Sequence, residues 1–306
     1  MNPKKPDFFI VGAPKSGTTA MNEYLSAHPD IYIPPQKEMH FFGADLRFGG
    51  TFYRRDLPAY LDTFAAWNGQ KRAGEASVWY LYSTQAAAEI KAFNPEASII
   101  IMLREPVEMI YSLYYQFLWD GNEHLPSFEQ ALAAENDRRA GKNITRATYL
   151  TQGLLYRETA RYTDQVARYF DVFGRERVHV ILYDDFAADV RACYQQTLAF
   201  LGVDPERIET DFAVVNANKY ADSVAVRNIL RDPIVRRAAR AARPFLPRPV
   251  YHALQNAQAR FRRSNTRFEK RPPLNPDLRA ALQREFAPEV VRLGDLLGRD
   301  LSAWKR

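Results

Sequence analysis

Three nearly unbroken apolar runs constrain this chain more than any other feature. They are Phe8-Phe9-Ile10-Val11, Ser98-Ile99-Ile100-Ile101-Met102-Leu103 and Val178-His179-Val180-Ile181-Leu182. A strand with one wet face alternates apolar and polar residues; these runs do not, so both of their faces must be covered. A shorter run, Ile31-Tyr32-Ile33, is cut off by Pro34-Pro35. Helical patterns fall between the runs. They cover Thr18 to Ala27, Thr84 to Phe93, Gly153 to Phe170 and Asp189 to Leu201. Pro106 sits at a first helical position and opens a helix to about Trp119, and Pro126-Ser127-Phe128-Glu129-Gln130 reads as a capped start. Strand–helix alternation over residues 1–203 predicts an α/β fold: a parallel sheet between two helical layers. Beyond it the strand signals vanish. Residues 204–306 read as a mainly helical section, interrupted at Pro244, Pro247, Pro249 and Pro272-Pro273. With no internal repeat and no low-complexity linker, one domain over residues 1–306 is the simplest organisation.

At 46% hydrophobic and 25% charged residues, the 306-residue chain has ample apolar surface for a core. No apolar run approaches the roughly 18 residues a transmembrane helix needs. The opening, Met1-Asn2-Pro3-Lys4-Lys5-Pro6-Asp7, leads into an apolar stretch too short for a signal-peptide core. Cys193 is the only cysteine, which favours a reducing compartment, so a cytoplasmic location is expected. One cysteine and five scattered histidines do not build the usual tetrahedral zinc site, and no metal is expected. The charge is uneven. Thirteen Lys and Arg lie between Arg227 and Arg271 against only Asp232 and Glu269, whereas the whole chain carries a net +6. Such a segment attracts an anionic partner: an acidic acceptor or a membrane surface touched peripherally through residues 227–271. No pattern for specific nucleic-acid recognition accompanies it.

The first strand ends in Gly12-Ala13-Pro14-Lys15-Ser16-Gly17-Thr18-Thr19 and opens a helix. Unpaired N–H groups of a first helical turn, with the helix dipole behind them, make an anion site. Gly17 allows close approach, Thr18 and Thr19 add hydroxyls, and Lys15 adds a formal charge. In a Walker loop the lysine follows the second glycine; here it precedes Gly17 by two residues, so the loop is P-loop-like without being Walker A.

Pro14-Lys15-Ser16-Gly17-Thr18-Thr19 resembles the 5′-phosphosulfate loop of sulfotransferases that use 3′-phosphoadenosine 5′-phosphosulfate (PAPS). Two further elements follow in the family's order. Lys37-Glu38-Met39-His40-Phe41-Phe42-Gly43 is similar to the K-E-x-H-F-F segment of the heparan-sulfate-like branch and its bacterial relatives. Leu103-Arg104-Glu105-Pro106 with Ser112 is similar to the R-x-P…S element for the 3′-phosphate. Weaker similarity runs through Gly74-Glu75-Ala76-Ser77, Tyr183-Asp184-Asp185-Phe186 and the closing Asp300-Leu301-Ser302-Ala303-Trp304.

The resemblance implies a PAPS-dependent sulfotransferase that releases adenosine 3′,5′-bisphosphate (PAP) without a metal. It implies that Lys15 stabilises the leaving oxygen, that Ser16, Gly17, Thr18 and Thr19 hold the 5′-phosphate, and that Arg104 and Ser112 hold the 3′-phosphate. Glu38 matches the catalytic base, with His40 beside it on the same side of an extended segment. The expected acceptor is a hydroxyl, less readily an amine, of a carbohydrate or glycolipid, and the basic flank favours an acidic one. Read without the resemblance, Lys37 and Glu38 form a surface ion pair, His40 is a structural histidine, and Arg104 pairs with Glu105 or Glu108. Trp79 and Tyr80 are candidates for stacking on adenine and equally for core packing. The family closes over its nucleotide with a late basic, glycine-containing loop. Asn218-Lys219-Tyr220 and Arg227 fall in that region but lack the glycine. A P-loop kinase or ATPase, and a non-catalytic module binding polyanions or membranes, remain the alternatives.

Overall fold

The structure is a computed structural model. It describes residues 5–49, 55–146, 148–208, 210–212, 219–221, 266–268 and 271–305. The Arg-rich stretch from Arg227 lies outside the described residues apart from 266–268 and Arg271, as does Asn218.

Five parallel strands form the central sheet in the order β2-β3-β1-β4-β5. They are β1 (Phe8–Gly12), β2 (Ile31–Tyr32), β3 (Arg72–Ala76), β4 (Ser98–Leu103) and β5 (Val178–Leu182). The apolar runs are the reason for the layering. Along β1 and β4, Phe9, Val11, Ile99, Ile101 and Leu103 enter one core, while Phe8, Ile10, Ile100 and Met102 enter the other. All nine are fully buried. Burying each such side chain is worth about 1.5–3 kcal/mol, which pins these strands at the centre.

One layer holds α1 (Thr18–Ser26) and, later in the chain, α9 (Tyr183–Ala188) and α10 (Val190–Phe200). Met21, Leu25, Tyr194 and Leu198 face the sheet from it. Between α1 and α9 come α2 (Leu57–Asp62), α3 (Ala86–Phe93), α4 (Pro106–Asp120), α5 (Phe128–Ala133), α6 (Glu135–Arg139), α7 (Tyr156–Thr159) and α8 (Tyr162–Phe173). These supply most of the opposite layer, to which α11 (Pro276–Leu297) adds Leu282, Phe286, Val290 and Leu293. Pro106 occupies the first turn of α4, where the Glu105 carboxylate accepts from the N–H groups of Val107 and Glu108.

The structure adds to the sequence reading at β3 and in the C-terminal section, and corrects it at one helix. β3, with the sequence Arg-Ala-Gly-Glu-Ala, has no apolar run to announce it, yet it pairs with both β1 and β2. The helix expected over Gly153 to Phe170 is broken into a 3₁₀ turn at Gln152–Leu154, then α7 and α8. Leu155 and Arg161 leave the helical region, at ψ 71° and 79°. Tertiary bonds compete there: Arg138 donates to the Leu154 carbonyl, and the Arg157 N–H donates to Glu135. The C-terminal section, read as mainly helical, holds α11 and also β6 (Lys219–Ala221) and β7 (Thr266–Phe268), which pair antiparallel.

Candidate active site

At the carboxyl ends of β1 and β4 a cavity of about 1250 Å³ opens, the position where open α/β sheets bind ligands. Its wall includes Lys15, Gly17, Thr18 and Thr19 from the first loop, Glu38, and Arg104 and Ser112 from the β4–α4 element. Three sequence elements separated by up to 97 positions therefore share one space.

Lys15 and Gly17 both take left-handed backbone, φ 60° and 90°, and no side chain caps the start of α1. Alternating left- and right-handed residues turn successive N–H groups into one concavity, a fit for an anion. Space at Gly17 is also tight: a Cβ there would stand 3.2 Å from the Met102 methyl and 3.3 Å from the Phe186 ring. Ser16 is fully buried with its hydroxyl on the Pro14 carbonyl at 3.3 Å, and it does not line the cavity. The Lys15 ammonium reaches Gln116 Oε1 at 3.2 Å. Burial, then Arg271 and Arg104, lower its pKa to about 8, and Lys37 adds to them. Asp120 is the acid that opposes this. Buried cations crowded in this way suit a polyanionic ligand.

Arg104 donates to the Lys15 carbonyl at 3.4 Å, pairs with Glu108 at 3.3 Å, and lies 4.6 Å over the Tyr183 ring. The Glu108 pair is the one anticipated for Arg104 alone, but the guanidinium still borders the cavity. Glu108 also binds Arg279, and it lies 4.0 Å from Arg271. Burial would raise this carboxyl, yet the three arginines hold it below its ordinary value. Ser112, in the second turn of α4, is 4% exposed.

Glu38 faces the cavity, and His40 stands behind it, with Nε2 2.9 Å from the carboxylate. Lys37 bridges Glu38 and the start of α1, 3.4 Å from the Glu38 carboxylate and 3.3 Å from Thr19 Oγ1. Burial raises the Glu38 carboxyl, but Lys37 and His40 more than offset it and hold it at about 2. The His40 ring stacks on Phe48 with centroids 4.4 Å apart. Trp79 stacks on Phe117 and Tyr80 is fully buried, so both are core residues; only Trp79 also touches the cavity wall.

Sequence reasoning missed Gln116, Tyr183 and Arg271 as wall residues and treated Lys37 only as a partner of Glu38. Arg271 belongs to the basic segment, and nothing in its sequence neighbours marks it as a wall residue. Among the described residues no group of three or more His, Cys, Asp or Glu is arranged to hold a metal ion.

The profile of the Sulfotransferase family matches residues 6–207, which span the whole sheet and this cavity's loops. The chain belongs to the sulfotransferase family. Mouse carbohydrate sulfotransferase 15 is 27% identical over 251 residues, 65% of this chain and 44% of that protein. Human heparan sulfate glucosamine 3-O-sulfotransferase 6 is 36% identical over 128 residues, 42% of this chain and 34% of that protein. The chain thus spans less than half the length of these curated relatives. The crystal structure of a sulfotransferase from Alicyclobacillus acidocaldarius matches 99% of this chain and 100% of that one, with TM-score 0.73 and 34% identity.

Proposed function

We propose that the protein moves a sulfuryl group from PAPS to a hydroxyl of a carbohydrate, or of the sugar of a glycolipid, and releases PAP. The observation that carries this reading is the single cavity lined by Lys15, Thr18, Thr19, Arg104, Ser112 and Glu38. It offers two separate anion-binding elements and a carboxylate. When bound, PAPS supplies an activated sulfuryl group with a phosphate as its leaving group.

The chain's own residues do the rest by positioning and charge stabilisation. The loop N–H groups and the Thr18 and Thr19 hydroxyls hold the 5′-phosphate, while Arg104 and Ser112 hold the 3′-phosphate. Lys15, ionised below about pH 8, neutralises charge growing on the leaving oxygen. Glu38 accepts the acceptor's proton and His40 orients it. A carboxylate held at about 2 is always ionised but weakly basic. An anion seated against Thr19 competes for the Lys37 ammonium, and loosening the Lys37–Glu38 pair returns basicity to Glu38. The chain acts in this reading as one catalytic domain in the cytoplasm, with residues 227–271 as docking surface for an acidic acceptor or a membrane.

Calorimetric titration with PAP, against ATP plus magnesium and adenosine 5′-phosphate, tests the donor. PAP is expected to bind most tightly, and Arg104→Ala to weaken it roughly 10- to 100-fold, as loss of a charged hydrogen-bond donor implies. Binding of ATP with magnesium, and not of PAP, would overturn PAPS as the donor. Glu38→Gln is expected to lower kcat by about 10²- to 10⁴-fold with PAP affinity unchanged.

A further inference from the structure

The segment carrying Glu38 and His40 belongs to no helix or strand, so its N–H groups need acceptors from elsewhere. Four consecutive ones are met by two hydroxyls. Met39 and His40 donate to Ser77 Oγ at 3.2 and 3.0 Å, and Phe41 and Phe42 donate to the Tyr80 hydroxyl at 2.8 and 3.3 Å. A hydroxyl that accepts two N–H bonds has only its proton left to place. Both protons go to one side chain. Ser77 donates to Glu75 Oε2 at 2.7 Å and Tyr80 to Oε1 at 2.9 Å, where Tyr60 also donates at 2.9 Å. Glu75 is 1% exposed at the end of β3, and Ser77 and Tyr80 are fully buried.

A buried carboxylate is costly, and neutral acceptors would satisfy the same hydroxyls at lower cost. What the carboxylate adds is direction. Accepting three O–H bonds and donating none, it forces both hydroxyls to present lone pairs to residues 39–42. An amide at the same place would turn N–H donors on either the Ser77 or the Tyr80 hydroxyl and displace one of the main-chain bonds. From Glu75 the connection runs through Ser77 to the His40 N–H, and from His40 Nε2 to Glu38.

We propose that Glu75 is a positioning residue for the transfer reaction, acting through Ser77 and Tyr80 to fix the 39–42 backbone and hence the Glu38 carboxylate against the acceptor hydroxyl. This rests on Glu38 being the base. Burial beside the carboxylate pushes the Tyr60 and Tyr80 phenols up, so both keep the protons they donate.

The test uses the full chain with PAPS and a panel of desulfated heparan and chondroitin oligosaccharides, taking whichever the unaltered protein sulfates. Glu75→Gln is expected to lower kcat roughly 10- to 100-fold, the scale of a misplaced catalytic group, while the PAP Kd stays within about twofold. In a Glu38→Gln background the same change is expected to cost less than about twofold in residual turnover, because it acts through Glu38. Ser77→Ala is expected to reproduce the loss and Ser77→Thr, which keeps the hydroxyl, to restore it; this pair carries the test if Glu75→Gln does not fold. Equal losses in both backgrounds, or a loss of PAP affinity parallel to kcat, would overturn the positioning role and leave the base reading standing. Full activity in Glu38→Gln would overturn the base reading, and the positioning role with it.

Discussion

An ammonium group buried beside two guanidinium groups gives up its proton more readily than one in water, and Lys15 does so at about pH 8. The unfolded chain keeps that proton to the ordinary lysine value of 10.5, so between these values the unfolded state binds more protons. The stability of the ligand-free protein therefore gains from this group as pH rises from about 8 to 10.5, and bears its full cost below about 8. A bound polyanion reverses the local field and raises the Lys15 pKa. Calorimetry of PAP binding slightly above pH 8, in buffers of different ionisation enthalpy, should show uptake of a fraction of a proton. Lys15→Met should abolish it. Proton release, or uptake that survives in Lys15→Met, would place the coupled group elsewhere. Lys15, Glu38 and Arg104 were singled out through the resemblance of their three segments to a known family, and the structure sets all three on one cavity. Lys37's second contact, on Thr19 Oγ1, was not legible in the sequence, because no local pattern relates positions on different elements.

Among the elements, β3 is the one whose sequence hides its place. Its glycine explains why a strand without large apolar residues can sit beside β1. Gly74 is in register with Phe8, and a Cβ on it would come 2.5 Å from the Phe8 ring and carbonyl. Gly74→Ala is expected to cost about 1–3 kcal/mol through overpacking, read as a lowered midpoint in urea unfolding with an unchanged slope. An unchanged midpoint would mean the strands can separate to admit a methyl group. The same strand delivers Glu75, which no reading of alternation would bury. Runs such as Ile99-Ile100-Ile101 announce two-faced burial by themselves, whereas β3 is held by its neighbours.

Across the whole molecule, the C-terminal section is fastened to the side of the cavity that carries Arg104 and Tyr183. The Trp304 Nε1–H donates to Asp184 and Arg299 donates to Asp185, both beside Tyr183, whose ring underlies Arg104. Arg279 from α11 shares Glu108 with Arg104. Trp304 is 4% exposed, so Trp304→Ala is expected to cost about 3–5 kcal/mol in stability by emptying its site. It should also weaken PAP binding by loosening the turn at Tyr183. The unfolding midpoint reads the first effect and titration at a temperature where the variant is fully folded reads the second. A destabilised variant that binds PAP normally would confine Trp304 to packing.

By itself the sequence determined the three-layer architecture and the ends of β1 and β4. Apolar runs have only one way to be buried on both faces, and a glycine–lysine–threonine turn before a helix has a chemistry that shows locally. It also carried the order of the three site elements. Tertiary structure alone decided which of those residues face the cavity. His40 falls behind Glu38, the Ser16 side chain turns into the core, and Arg271 arrives at the wall from the far end of the chain. It likewise decided the hydroxyl clamp on residues 39–42. Such contacts depend on where separate elements stop relative to one another, and that is set by packing across the sheet rather than by any residue's neighbours in sequence.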